Sequence, residues 1–403
     1  MSKERNSNKH TILIHKLIFT VFIVLIYLLG RSLPLFGLDL SVDTSIDIDV
    51  QTLLLQTISG DRYEHSVLTL GIFPYMISSL IIQMVMAALS SEKKSRISQV
   101  TLNRISLLIM LVVAIIQAVY KLNKLSFIYS DNELIMTWIV VVAEMVAGAF
   151  VILWLADRNS RYGIGGQTML IYINILDSFI AMLHGNAFSK VIIPVILSIV
   201  VVVVVIIMEN AEKRLPVQRV AIHSIYADKN YMAIKLNPIG VMPVMFSSAV
   251  FMLLQIIVAG IRFVFPNSGV VTWIHNNMVL TEIFGIIVYI GVLYFLTIFM
   301  SMVFISPKDL TEQFLKSGDS IVDLHAGDDT YRYLRGQILS ISIVSSTVMG
   351  VCILIPMLLE YFRIIDASLA ALPSLFMMLA GIFYNLLQEV ITIRNYDEYK
   401  PFI

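Results

Sequence analysis

The sequence predicts an all-α integral membrane protein whose ten transmembrane helices form two inverted halves of five. Three observations carry that prediction. The first is composition: 58% of residues are hydrophobic, only 14% are charged, and mean hydropathy is +0.85, whereas about a quarter of the residues in a soluble domain are charged. The second is an internal repeat. Gly71-Ile72-Phe73-Pro74-Tyr75-Met76-Ile77-Ser78-Ser79 and Gly240-Val241-Met242-Pro243-Val244-Met245-Phe246-Ser247-Ser248 share the form Gly-x-x-Pro-x-Met-x-Ser-Ser. The third is the placement of basic residues. If both termini are cytoplasmic, 21 of the 28 Lys and Arg fall inside, the side on which basic loops are held.

Span one is expected at 11–29. The Gly30-Arg31-Ser32-Leu33-Pro34 stretch behind it lacks a small-residue cleavage site, so an uncleaved span is expected rather than a signal peptide. Between 35 and 65, five aspartates surround a semi-apolar patch at 50–58. That patch is too short to cross a bilayer, and a re-entrant or plug-like element suits it. Span two, 66–89, carries the first repeat copy and exits into Lys93, Lys94 and Arg96. Spans three to six are expected at 102–120, 134–156, 167–183 and 191–208, and a polar loop, 209–235, follows. Span seven, 239–261, carries the second copy. Span eight at 279–305, a second polar loop at 306–336, and spans nine (337–359) and ten (369–393) complete the chain.

Only Arg31, Arg62, Lys121, Lys124, Lys190, Arg262 and Arg363 fall outside in this arrangement. Span two then runs inward and span seven outward. The halves, 1–190 and 191–403, are therefore inverted copies. Gly/Pro-interrupted spans at matching places in two such halves point to a pathway between them.

The residues for coupled or catalytic chemistry are scarce, and no enzyme activity is expected. No phosphate-binding Gly-x-x-x-x-Gly-Lys-[Ser/Thr] loop is present, the seven histidines are scattered, and Cys352 is the single cysteine. No cofactor, metal or nucleic acid is implied. Glu144 in span four and Asp177 in span five are the candidate coupling acids. Either could couple an ion, or simply pair across the bundle.

The stretch 66–85, from Ser66 through Gly71, Pro74 and Met76 to Gln83, resembles the second-span signature of SecY, the channel subunit of the general protein translocase. Trp154-Leu155-Ala156-Asp157, Tyr162-Gly163-Ile164-Gly165, Arg214-Leu215-Pro216-Val217-Gln218, Lys235 to Pro243 and Ser306-Pro307-Lys308-Asp309-Leu310 are similar to that family in register. The resemblance covers nearly the whole chain. It implies a clamshell channel for unfolded polypeptide with a lateral gate between spans two and seven, bordered by Gly71, Pro74, Ser78, Ser79, Gln83, Gly240, Pro243, Ser247 and Ser248. It also implies an apolar pore ring of Ile72, Met76 and Met245, with Thr168 or Tyr172 and Met377 or Met378. Its expected partners are a SecA-type ATPase, small SecE/SecG-like or accessory Sec membrane subunits, and membrane lipid. Arg214, His325, Arg332 and Arg335 would meet the motor.

The departures from the family pattern are local. Gly163-Ile164-Gly165-Gly166-Gln167 stands where the family has Gly-Ile-Gly-Asn-Gly, and Leu324-His325-Ala326-Gly327 replaces Ile-Arg-Pro-Gly. Asp309, Glu312, Asp319, Asp323, Asp328 and Asp329 also make the last large loop acidic. Together they resemble the SecY of an accessory Sec system in Gram-positive bacteria, which exports serine-rich glycosylated surface adhesins. The alternatives are a housekeeping SecY, an inverted-repeat solute transporter whose ion coupling would run through Glu144 or Asp177, and a non-conducting scaffold or lipid-side insertase.

Overall fold

The computed structural model describes residues 2–38, 65–89, 97–122, 125, 127, 131–185, 188–219, 231–322, 324–325 and 327–395. The expected plug-like segment falls mostly on 39–64, outside the described residues, as does the basic loop 91–96. The helices are α1 (Ser2–Arg31), α2 (Phe73–Ala88), α3 (Gln99–Leu122), α4 (Asp131–Tyr162), α5 (Gly166–Gly185), α6 (Phe188–Asn210), α7 (Met242–Val264), α8 (Gly269–Asn277), α9 (Ile283–Ile305), α10 (Pro307–Ser317), α11 (Asp328–Tyr361), α12 (Ala367–Ala370) and α13 (Leu372–Asn395). Three strands, β1 (Glu212–Arg219), β2 (Tyr231–Lys235) and β3 (Asp319–Ile321), complete the described elements.

Among the described residues, eight helices are long and apolar enough to cross a membrane: α1, α3, α4, α6, α7, α9, α11 and α13. The other two expected spans fall on α2 and α5. α2 has only 16 residues, because residues 67–72 form turns in place of its first helical turns. α5 has 20 residues, and Gln167, Asn174, Asp177 and His184 interrupt its apolar run.

The repeat is conformational as well as sequential. Gly71 and Gly240 adopt φ of +59° and +68°, a left-handed geometry that costs a Cβ-bearing residue strain. Ile72 and Val241, next in line, have φ/ψ of −90°/−2° and −86°/0°, and each helix opens with proline in its first turn. Proline is tolerated there because the first-turn N–H groups lack helical partners anyway. α2 and α7 begin at equivalent places for equivalent reasons.

Two buried asparagines fix the other helix entries. Asn159, fully buried, donates to the Ile164 and Gly166 carbonyls at 2.9 Å each. Thr20 of α1 accepts from Ile164 N at 2.8 Å, and Glu389 of α13 accepts from Gly165 N at 3.0 Å. Asn237 donates to Glu209 Oε1 at 2.9 Å and accepts from Ser345 Oγ at 3.1 Å, joining α6 and α11 ahead of α7. A Cβ on Gly163 would overlap Asn159 Oδ1 and Thr20 Oγ1. We expect Gly163→Ala to lower the melting midpoint of the detergent-solubilised protein, by an amount equivalent to about 2 kcal/mol or more. An unchanged midpoint would mean that this turn is not the pinned entry to α5.

The polar stretches are not simple loops: beside the helical membrane part they hold a small sheet. β1 pairs antiparallel with β2 (Leu215 opposite Met232) and with β3 (Val217 opposite Ile321), giving the order β2-β1-β3. Leu215, Ile234 and Ile321 pack with Leu334, Ile338 and Ile341 of α11 in a small core of their own. The described parts of 209–235 and 306–336 therefore pack as one body.

In the apolar part, α2 packs on α3 and α7, α7 on α9, α9 on α11, and α6 on α13. α4 packs on α1, α3 and α5, and α13 also meets α1 and α5.

Candidate functional site

The largest apolar cluster draws on most helices of the bundle, α2, α5, α7 and α13 among them. α2 contributes Ile72, Met76 and Leu80, spaced i, i+4 and so aligned on one stripe. Val241 and Met245 come from the start of α7, Ile171 and Ile175 from α5, and Met377 and Met378 from α13. Met76 is 4% exposed, Met245 5% and Met378 0%. Tyr172 is half-buried against the same cluster. Thr168 donates its hydroxyl to the Gly165 carbonyl in the first turn of α5. Sequence comparison missed Ile171 and Ile175, although they repeat the same i, i+4 spacing.

The contact between α2 and α7 is made by apolar residues outside the repeat's shared positions. Phe73 and Ile77 of α2, Val113 of α3 and Ala249 of α7 are buried together, with Ile81, Met252 and Leu253 packed against them. The repeat serines turn elsewhere. Ser78 Oγ lies 2.9 Å from Ser106 Oγ of α3, and Ser248 Oγ 3.1 Å from the Tyr289 hydroxyl of α9. Ser79 and Ser247 donate to carbonyls of their own helices, Met76 and Val244, each at 2.8 Å. Gly71, Pro74, Gly240 and Pro243 are buried at the helix entries, and Gln83 is half-buried on α2.

Both candidate coupling acids have partners. Asp177 Oδ2 lies 3.1 Å from Arg31 Nη2, whose side chain is 3% exposed. One turn away, Tyr27 donates to Asn174 Oδ1 at 2.7 Å. Glu144 Oε2 accepts from Phe36 N at 3.0 Å. These contacts give both carboxylates a structural occupation, holding α1 to α5 and the chain after α1 to α4.

Where α5 begins, a polar cleft of about 340 Å³ opens among Tyr75, Asp157, Gly165, Gln167 and Glu389. The sheet lies outside the apolar bundle. Arg214 is exposed there, with Glu212 Oε1 2.7 Å from Nη2 and the Tyr231 ring 4.6 Å from its Cζ. The hydrogen bond that Arg214 donates to Glu212 raises its pKa above the ordinary value, so it stays cationic. His325, Arg332 and Arg335 are exposed on the same body. The His325 carbonyl accepts from Thr330 Oγ1 at 2.8 Å, which secures the start of α11.

Comparison with known proteins agrees with this geometry. The family model described as SecY matches residues 66–387. The accessory Sec system protein translocase subunit SecY2 of Streptococcus agalactiae is 28% identical over 396 residues, covering 96% of this chain and 95% of that protein. The protein of the same name in Leuconostoc gelidum is 25% identical, with 99% of both chains covered. A solved structure described as a protein-conducting channel superposes with a TM-score of 0.66 at 16% identity, over 95% of this chain and 93% of that one. Sec61 from a canine ribosome-channel complex gives 0.60 at 16% identity, with the same coverage.

Proposed function

This chain belongs to the SecY family, and on that premise we propose that it is the pore-forming subunit of a channel conducting unfolded polypeptide across the cytoplasmic membrane, in an accessory Sec system. The observation that carries the reading is the contact of the two repeat helices, α2 and α7, beside one buried apolar cluster. The halves 1–190 and 191–403 form the two shells, both termini are cytoplasmic, and the seam between α2 and α7 is the gate. Ile72, Met76, Tyr172, Met245 and Met378 line the closed constriction. The clients are serine-rich glycosylated surface adhesins, and small accessory or SecE/SecG-like membrane subunits accompany the channel.

Export needs free energy, and the chain has no phosphate-binding loop motif. The body built on β1, β2 and β3 is the surface for a SecA-type ATPase, through Arg214, His325, Arg332 and Arg335. Charged rim contacts of this kind set encounter rate and specificity. The test is reconstitution of the chain in proteoliposomes with its co-purifying ATPase and membrane subunits. Unfolded client should become protease-protected only when ATP is supplied. Arg332→Glu with Arg335→Glu should lower that signal to background while the protein remains folded. Protection without ATP, or none in the complete system, would overturn the reading; full protection with the double variant would remove these arginines from it.

A further inference from the structure

Where α9 ends and α11 begins, a cleft of about 780 Å³ opens between the apolar bundle and the sheet body. Its wall is apolar: Phe295, Phe299 and Val303 from the last turns of α9, and Leu339 from α11. Phe295 is 57% exposed and Leu339 38%. The wall thus continues into outward-facing residues such as Phe304 and Ile343, which on a spanning helix meet acyl chains. Lys308 of α10 and Arg335 of α11 stand on the cleft's polar rim. Both are exposed, and among the described residues neither forms an ion pair. Leu89, at the end of α2, also lines the cleft, so α2 borders it together with α9, α10 and α11.

We propose that this cleft binds one glycerophospholipid of the adjoining leaflet, its phosphate between Lys308 and Arg335 and an acyl chain along Phe295, Phe299 and Leu339. Three properties of the cleft select that occupant. Its apolar wall lies on helices that span the membrane, where hydrocarbon is the surrounding solvent. Its cations stand where those helices leave the apolar layer, the depth at which lipid phosphates lie, and basic pockets at helix ends are suited to headgroups. The planar Arg335 guanidinium can engage two phosphate oxygens at once. Asp309 and Glu312 line the same rim; they disfavour a second negative charge, which selects a headgroup with one phosphate over one carrying several. The proposal requires that α9 and α11 cross the membrane, and it is independent of what the chain conducts.

Native mass spectrometry of the full chain, purified in mild detergent with phosphatidylglycerol or phosphatidylethanolamine added, tests this without any ATPase present. The wild-type protein should retain one phospholipid after bulk lipid is stripped. Lys308→Gln with Arg335→Gln should lower occupancy by about tenfold or more, the factor expected when two basic side chains at an anionic surface are lost. Val303→Trp, which fills the apolar wall and leaves the charges in place, should also lose the lipid. Lys213→Gln, on β1 away from the cleft, should retain it. Inorganic phosphate in excess should not displace the lipid. Equal occupancy in wild type and both cleft variants would overturn the proposal. So would displacement by phosphate, which would mark a bare anion site, or a bound polypeptide in place of lipid.

Discussion

Replacing Met76 and Met245 together with glycine is expected to make the resting protein leak ions across a planar bilayer that the wild-type chain leaves sealed. Both side chains are buried in the largest apolar cluster, at 4% and 5% exposure. An apolar constriction excludes ions by keeping water out. Methionine suits such a seal because its unbranched thioether adapts to surfaces of changing shape. Cutting both side chains back to a hydrogen opens the constriction from two sides. The competing role is ordinary core filling, for which truncation of a buried methionine to alanine costs about 2–5 kcal/mol and helical glycine roughly 1 more. Met110 provides the comparison, because it is 1% exposed in the separate cluster of α3 and α4. Met110→Gly should lower the melting midpoint and leave conductance unchanged, and Met76→Leu with Met245→Leu should refill the constriction and restore the seal. A silent double-glycine channel that has lost only stability would assign these methionines to packing.

A covalent tie across the seam is expected to stop export completely. The cysteines belong at Ile77 or Ile81 on α2 and at Ala249 or Leu253 on α7, in a Cys352→Ala background, because these residues cluster between the two helices. A disulfide needs Cβ atoms roughly 3.5–4.5 Å apart, so oxidation itself identifies the pair in register. In proteoliposomes, ATP-dependent protection of client should fall to background in the oxidised protein and return with reductant. Export at an unchanged rate through a fully crosslinked chain would exclude the α2–α7 seam as a moving part.

Ser79, which the family resemblance places at the gate, is passed over for its neighbours Ile77 and Ile81. Its hydroxyl is turned back to the Met76 carbonyl. The difference marks a limit of motif reading. Gly71, Pro74, Gly240 and Pro243 are legible in sequence because backbone geometry demands those residue types, and their conformations match in the two copies. The contact surface consists of Phe73, Ile77, Ala249 and Leu253, which are interchangeable hydrophobes in a chain that is 58% hydrophobic. Composition cannot single them out, and only the three-dimensional placement of two distant helices does so. Thr168 shows the same limit at a finer scale. It lies in the right helix, but a local hydrogen bond to Gly165 competes for its hydroxyl.

The sheet was illegible for another reason. β3 has three residues, and its partner β1 lies on the far side of α7, α8, α9 and α10 in the chain. No local period announces so short a strand, and charged residues on either side disguise the few apolar ones. The residues of β1 alternate, with Leu215 and Val217 buried between exposed neighbours, yet two buried positions are too few to distinguish a strand from a loop. The Asn159 and Asn237 turns fall between these extremes. Their stretches stood out by family likeness, and the hydrogen bonds now supply the physical reason: Asn159 holds the turn into α5 that Thr20 and Glu389 also grip, and Asn237 joins α6 and α11 ahead of α7.

The pairing of β1 with β3 has a mechanical consequence. Main-chain hydrogen bonds tie the stretch after α9 to the stretch after α6, and Leu236 N donates to the Ala211 carbonyl at 2.8 Å at the foot of the sheet. Anything that grips either stretch grips both. A tug on α10 is carried through β3 and β1 to the root of α6, and through β2 to the residues that launch α7. The sheet thus couples α10 to the roots of α6 and α7 through main-chain hydrogen bonds rather than through slack loops.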